Sequence, residues 1–166
     1  MRILGIDPGT VNMGFGVIEA GKYNINLVDC GVLEASARSF SIGERLSYFY
    51  GTLLRIIAHH QPDAVAIEQP FVAKNVKSAL AIGRAQAVAM LAAAGNGIPV
   101  YEYTPAEIKQ KVADYGASSK EQVQEMVKLQ LGLPEVPQPS DAADAIAVAI
   151  CHVREARLKS LLDQGK

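Results

Sequence analysis

The chain opens with Met1-Arg-Ile-Leu-Gly-Ile-Asp-Pro-Gly-Thr10, a short apolar run that ends at an acid. The apolar residues predict a buried strand over Arg2–Asp7, and the Pro-Gly pair predicts a turn directly after it. Asp7 is therefore expected where the first strand leaves the core. Because Asp, Pro and Gly are also common in plain hairpin turns, Asp7 alone does not distinguish a turn from a functional site.

Three more acids stand beside apolar runs. Glu68 closes Ala64-Val-Ala-Ile-Glu68, and Asp141 and Asp144 lie at the start of Ser140-Asp-Ala-Ala-Asp144. None of these acids has a basic neighbour in the sequence, so they would raise one another's pKa if the fold brought them together. A divalent cation removes that repulsion, and Mg²⁺ and Mn²⁺ prefer oxygen ligands of this kind. The four acids are therefore candidate metal ligands.

Each acid also has an ordinary explanation. Glu68 fits an exposed strand end, and Asp141 and Asp144 fit acids favoured at a helix N-terminus with Ser140 as the cap. These explanations are independent of one another, and none of them predicts acids in all three segments. We therefore favour the metal site.

Composition indicates a globular protein. The 166 residues are 49% hydrophobic and 20% charged, which predicts one domain over residues 1–166, with roughly the last ten residues as a frayed tail. Two cysteines and no signal peptide ahead of the first strand predict a cytoplasmic protein. No apolar run reaches the ~20 residues of a membrane helix, so we expect no membrane association.

The order of predicted elements is three strands, a helix, a strand, a helix, a strand and three more helices. The strands are Arg2–Asp7, Met13–Ala20, Ile25–Leu33, Ala64–Glu68 and Pro99–Tyr103; two helices cover Ser41–His60 and Val76–Ala94, and the others follow the caps Thr104, Ser118 and Ser140. This order predicts an α/β, ribonuclease H-like fold with a five-stranded mixed sheet flanked by helices. Asp7 and Glu68 are then expected at adjacent strand ends, and Asp141 and Asp144 share one helical face.

Positive charge is concentrated in the middle of the chain. No acid occurs between Glu68 and Glu102, whereas Lys74, Lys77 and Arg84 do. Lys77 and Arg84 are seven residues apart and share a helical face. Because the formal net charge is only −1, nucleic-acid binding must depend on a local basic surface such as this one.

Three motifs together resemble the RuvC family of bacterial Holliday-junction resolvases. They are Gly5-Ile-Asp-Pro-Gly-Thr10, Glu68-Gln-Pro-Phe-Val-Ala-Lys-Asn75 and Ser140-Asp-Ala-Ala-Asp-Ala145. The resemblance runs from Met1 to about His152, and the second and third motifs at their spacing are specific. It implies a dimeric, Mg²⁺-dependent endonuclease of recombination and repair that nicks four-way DNA junctions symmetrically. It further implies 5′-phosphate and 3′-hydroxyl ends, and branch-migration proteins as partners.

The resemblance also implies roles for individual residues. The metal-binding acids of the family correspond to Asp7, Glu68, Asp141 and Asp144, its two assisting lysines to Lys109 and Lys120, and the aromatic that contacts junction bases to Phe71. Both lysines also fit ordinary solvated helix positions. The implied DNA-binding set is Phe71, Lys74, Lys77, Arg84, Lys109 and Lys120.

Two-metal hydrolysis fits this set of acids. We expect a pair of Mg²⁺ ions per subunit, for which Mn²⁺ can substitute, with Asp7 as the shared ligand. Glu68 would serve one ion, and the Asp141–Asp144 pair the other. For the homodimer, a row of small residues on the long helix, Ala79, Gly83 and Ala87, is the expected interface.

Two alternatives remain open at this stage. Actin-like and sugar-kinase ATPases share the opening motif, but they need a second domain that would take the chain well past ~250 residues. A junction-binding protein without catalytic activity would share the fold, but it would not need all four acids.

Overall fold

The elements follow one another in the order expected from the sequence. The computed structural model describes residues 1–35, 40–69 and 76–164. The strands are β1 (Arg2–Asp7), β2 (Asn12–Ala20), β3 (Ile25–Glu34), β4 (Ala64–Glu68) and β5 (Val100–Tyr103). The helices are α1 (Ile42–His60), α2 (Val76–Ala94), α3 (Pro105–Ala113), α4 (Lys120–Leu131) and α5 (Ser140–Gln164). The expected bounds differ from these by only one or two residues.

The strands form one mixed sheet in the order β3-β2-β1-β4-β5. β1 pairs antiparallel with β2, and β2 pairs antiparallel with β3, as expected for a meander. β1 and β4 are parallel, and so are β4 and β5. The prediction of a five-stranded mixed sheet flanked by helices is confirmed. Because β1 and β4 are parallel neighbours, their C-terminal residues lie at the same edge of the sheet.

α5 packs directly on one face of the sheet because glycines remove side chains from the contact. A Cβ atom on Gly5 of β1 would lie 2.0 Å from the carbonyl oxygen of Ala145. One on Gly14 of β2 would lie 2.0 Å from the carbonyl oxygen of Asp141. Neither position therefore accommodates any other residue without a shift of α5. This close approach brings the first turn of α5 to the end of β1.

The two faces of the sheet carry separate apolar clusters. One cluster joins Ile3 of β1 to the buried length of α5, together with α3 and α4. The other joins Leu4 and Ile6 to Phe49 of α1 and Ala89 of α2. Alternate residues of β1 thus point to opposite faces, as the two-residue period of a strand requires. β1 is buried on both faces, and Asp7 is its first residue to leave the core.

Capping residues set where α3 and α4 begin. Thr104 caps α3 through a reciprocal pair of hydrogen bonds with Glu107, as the sequence predicts. α4 differs from expectation by one residue. Its cap is Ser119, whose hydroxyl accepts from the Gln122 backbone N–H, so the prediction of a cap at Ser118 is wrong. Ser118 is itself buried. The first residue of α4 is set by Gln122, which completes the capping box with Ser119 as Glu can.

α2 meets the length and composition criterion for a membrane-spanning helix, although Arg84 and Gln86 interrupt its apolar residues. One face of α2, including Ala85, Ala89 and Ala92, is buried, and the helix contacts α1 and β4. Core helices of globular proteins meet the same criterion. The length and composition of α2 are therefore only weak evidence that it spans a membrane.

The opposite face of α2 exposes apolar side chains. Val76, Leu80 and Leu91 are 63%, 63% and 61% exposed, and within the described residues no other element comes within 4 Å of a Cβ built on Gly83. With the exposed Ala87, these residues form one stripe at helical spacing, called the outer stripe below. Ala79, which was expected in this row, is buried instead. At the other end of the chain, the expected frayed tail is helical as far as Gln164.

Candidate metal centre

Asp7 and Glu68 lie at neighbouring strand ends. Each is the last residue of its strand, and Ile6 of β1 is in register with Ile67 of the parallel strand β4. Their side chains are joined by a hydrogen bond. The prediction that the sheet brings these two acids together is confirmed.

The first turn of α5 adds Asp141 and Asp144 at the same edge. Gly14, against which the Asp141 backbone packs, is the β2 partner of Asp7. As a result, one carboxylate oxygen from each of Asp7, Asp141 and Asp144 lies within 4.8 Å of the others. Glu68 is not part of this close triad, but it lines the same cavity as Asp7 and Asp144. The structure therefore brings three of the expected ligands into one cluster and leaves the fourth beside it.

Burial and mutual repulsion make the cluster a poor place for several negative charges. Burial, followed by the charges of Glu68, Asp144 and Asp141, raises the pKa of Asp7 from 3.8 to about 8. Burial also raises the pKa of Glu68, although a hydrogen bond with Asp7 and the charges of Lys120 and Lys109 oppose part of that rise. Without a cation the cluster therefore keeps a proton near neutral pH. Oxygen donors that cannot all ionise alone are suited to a hard divalent cation.

The acids open into a cavity of about 270 Å³. Lys109 of α3 and Lys120, the first residue of α4, both line it, together with apolar side chains that include Ile108 and Val123. Both lysines therefore face the acidic cluster. Lys109 is half-buried there, whereas Lys120 lies at the rim of the cavity with a side chain that is 52% exposed.

Lys120 supplies a counter-charge that the sequence does not reveal. Its Nζ is 2.5 Å from Oδ2 of Asp144. Burial opposes the charged form of Lys120, but the hydrogen bond and charge of Asp144, with the charges of Asp7 and Asp141, raise its pKa overall. Asp144 lacks a basic neighbour along the chain, yet it has one across the cavity.

Gln124 is a site residue that the sequence analysis missed. Its Nε2 donates to Oδ1 of Asp144 at 2.9 Å and lies 3.5 Å from the carbonyl oxygen of Ser140. Gln124 is four residues after Lys120, so the two side chains share a face of α4. That spacing from a candidate lysine is the one sequence signal that could have drawn attention to it.

Two of the remaining candidate DNA-binding residues, Lys77 and Arg84, belong to the part of the chain that the structure describes. Lys77 and Arg84 are exposed on α2, and neither lines the cavity that holds the acids. Phe71 and Lys74 lie outside the described residues.

Sequence comparison assigns the chain to a family. The family described as crossover junction endodeoxyribonuclease RuvC matches residues 3–152. The chain belongs to the RuvC family. A RuvC from Dehalococcoides mccartyi is 54% identical over 165 residues, which covers 99% of this chain and 98% of that protein. The resemblance inferred from the three motifs is thereby confirmed.

Structural comparison agrees with the RuvC assignment. A structure of T. thermophilus RuvC in complex with a Holliday junction substrate has a TM-score of 0.89 and 35% identity, and the match covers 96% of both chains. A yeast mitochondrial Holliday junction resolvase has a TM-score of 0.71 at 14% identity over 96% of this chain and 82% of that one. The second match supports the shared fold alone.

Proposed function

We propose that this chain is a structure-selective, metal-dependent endonuclease that resolves four-way DNA junctions. The observation that carries the proposal is the cluster of Asp7, Asp141 and Asp144, with Glu68 beside it, at one edge of the sheet in a chain of the RuvC family. The same match over residues 3–152 favours a nuclease over the actin-like or sugar-kinase ATPase alternative. We further propose that residues 1–166 act as a single nuclease domain.

The acids would hold Mg²⁺, with two ions per subunit and Mn²⁺ as a substitute. Asp7 has an acid on either side of it, which supports its role as the shared ligand; Glu68 would serve one ion and the Asp141–Asp144 pair the other. When bound, the ions would supply an activated water and charge relief on the phosphate oxygens. The pKa of Asp7 near 8 supports this assignment because a cation would replace the proton that the cluster otherwise keeps.

Lys109 and Lys120 would act on the scissile phosphate from the wall of the same cavity. Both residues line the cavity that holds the acids, where their ammonium groups can stabilise negative charge that develops on the phosphate oxygens. The bond that breaks joins phosphorus to the 3′ oxygen, so the products would carry 5′-phosphate and 3′-hydroxyl ends. Lys120 would have to leave Asp144 to reach the phosphate, and its 52% exposed side chain leaves room for that movement.

Junction binding would use basic and aromatic residues outside the acidic cluster. Lys77 and Arg84 are exposed and suited to phosphate contacts, which position the DNA without reading its sequence. We assign Lys74 to the same role and Phe71 to stacking on junction bases. Both of these assignments rest on the sequence motif alone.

A homodimer would place two metal centres on one junction. The outer stripe of α2 supports this proposal because three large apolar side chains on it are more than half exposed, which is costly for a face that stays in water. Two-fold symmetry in the protein would match the two nicks that a four-way junction requires. We also propose that the protein acts in the cytoplasm alongside branch-migration proteins of the same pathway.

The deciding experiment is cleavage of a synthetic four-way junction in Mg²⁺, with a linear duplex of the same arm sequence as the DNA control. Wild-type protein should nick the junction and spare the duplex. Glu68→Gln should abolish nicking but bind the junction in EDTA as tightly as wild type, because the acid holds metal and the phosphates are held elsewhere. Junction binding without any nicking by wild-type protein would instead identify a non-catalytic junction-binding protein.

A further inference from the structure

Both carboxylate oxygens of Asp144 are contacted by side chains from one helix. Lys120 Nζ lies 2.5 Å from Oδ2, and Gln124 Nε2 lies 2.9 Å from Oδ1. The two contacts come from positions four residues apart on α4, so side chains on a single helical face contact both oxygens of the carboxylate. The orientation of Asp144 therefore depends on α4 as well as on α5, which carries it.

The two contacts differ in charge. Lys120 is a cation, so a metal ion that approaches Asp144 meets electrostatic repulsion from it and competes for the same carboxylate charge. Gln124 is neutral and repels no cation. Each carboxylate oxygen can accept more than one partner, so the amide can remain on Oδ1 while a metal ion takes the place of Lys120 at Oδ2.

Gln124 is itself held in place. Its helix is fixed at the N-terminus by the Ser119 capping box, and Val123 and Val127 on either side of it are buried against α5. Gln124 is half-buried, and its amide also faces the carbonyl oxygen of Ser140 at 3.5 Å. Ser140 and Asp144 are one turn apart, so the amide spans the first turn of α5.

We propose that Gln124 is a positioning residue for the metal centre. It holds Oδ1 of Asp144 so that Oδ2 faces the cluster and is available to a metal ion once Lys120 moves away. Without Gln124, the carboxylate can turn towards Lys120, which strengthens the ion pair that competes with the metal. The inference rests on the proposed metal-binding role of Asp144. Partners that orient a metal ligand in this way typically change metal affinity by 10–100-fold.

The test is a calorimetric titration of Mn²⁺ into the DNA-free protein. Gln124→Met keeps an unbranched side chain of similar length but removes the donor. The matched control is Gln130→Met, because Gln130 is also on α4 and its amide donates to the carbonyl oxygen of Val112 at 2.8 Å, away from the acids. Asp144→Asn serves as the reference for loss of the ligand itself.

Gln124→Met should weaken Mn²⁺ binding by about 10–100-fold, whereas Gln130→Met should bind Mn²⁺ as wild type does. Both variants should have similar melting temperatures and wild-type junction affinity in EDTA. Unchanged Mn²⁺ affinity in Gln124→Met would overturn the inference. So would a melting temperature far below that of Gln130→Met together with lost junction binding, since that would make the role structural. If wild-type protein binds no Mn²⁺, or Asp144→Asn binds it normally, the proposed metal centre fails instead.

Discussion

Replacing Asp7 with asparagine should stabilise the metal-free protein at high pH. Folding raises the pKa of Asp7 from 3.8 to about 8, so between these values the folded protein holds a proton that the unfolded chain releases. Under that condition the free energy of unfolding falls as pH rises. Asparagine carries no charge, and its amide can donate to Glu68 in place of the shared proton. The free energy of unfolding of the variant therefore does not fall with pH through this residue.

The magnitude follows from the size of the shift. One pKa unit corresponds to 1.36 kcal/mol, so the whole window represents at most ~6 kcal/mol, and the part between about pH 5.5 and pH 8 represents about 3 kcal/mol. Over that interval, the stability advantage of Asp7→Asn over wild type should grow by this amount. Below about pH 3 this pH-dependent advantage should vanish, because Asp7 is then protonated in both states of the wild-type chain.

Urea unfolding in EDTA across this pH range measures the effect. Asp163→Asn is the matched control, because it removes an exposed acid near the end of α5 and should show no such pH-dependent gain. Adding Mg²⁺ should stabilise wild-type protein and not Asp7→Asn, since only a bound cation shifts the folding equilibrium. A pH-independent difference between wild type and Asp7→Asn, or a less stable variant at pH 8, would refute the reasoning.

Three further substitutions test the neighbourhood of the site and the outer stripe. Lys120→Met should bind Mn²⁺ more tightly in titration calorimetry, because the lysine competes with the metal ion for Asp144. It should also cleave junctions more slowly, because the lysine would stabilise charge on the scissile phosphate. Weaker Mn²⁺ binding would contradict this prediction. Leu80→Asp should shift the protein from dimer to monomer in light scattering, whereas Leu129→Asp, at 61% exposure on α4, should not; a dimer that survives Leu80→Asp excludes the outer stripe as the interface. Gly14→Ala should lower the free energy of unfolding in urea by about 3 kcal/mol or more, as in overpacked cores, because the new methyl group meets the Asp141 carbonyl. A variant as stable as wild type would show that α5 does not pack on β2 as described.

Much of the fold and the acidic cluster could be predicted from the sequence because strand order and helical spacing determine both. Once β1 and β4 are parallel neighbours, their last residues, Asp7 and Glu68, must share an edge. Asp141 and Asp144 follow from a three-residue spacing on one helix. These relationships depend on the backbone geometry of strands and helices, which is the same in all proteins and can be predicted from the spacing of apolar residues.

The contacts of Asp144 could not be predicted in the same way. The approach of Lys120 and Gln124 depends on how closely α4 packs on α5, which is set by side-chain volumes at Val123 and Val127 and not by any periodic pattern. The cap of α4 was misplaced for a related reason, since two adjacent serines offer the same chemistry. Which face of α2 is left open likewise depends on the helices and strands that cover the other face.

The joining of the first strand to the last helix has a consequence for synthesis of the protein. During translation, β1 and β4 emerge well before α5, and contacts across so long a stretch of chain form late. A nascent chain therefore carries Asp7 and Glu68 without the two acids that complete the cluster. We expect the ability to cut DNA to appear only when the last helix has docked on the sheet.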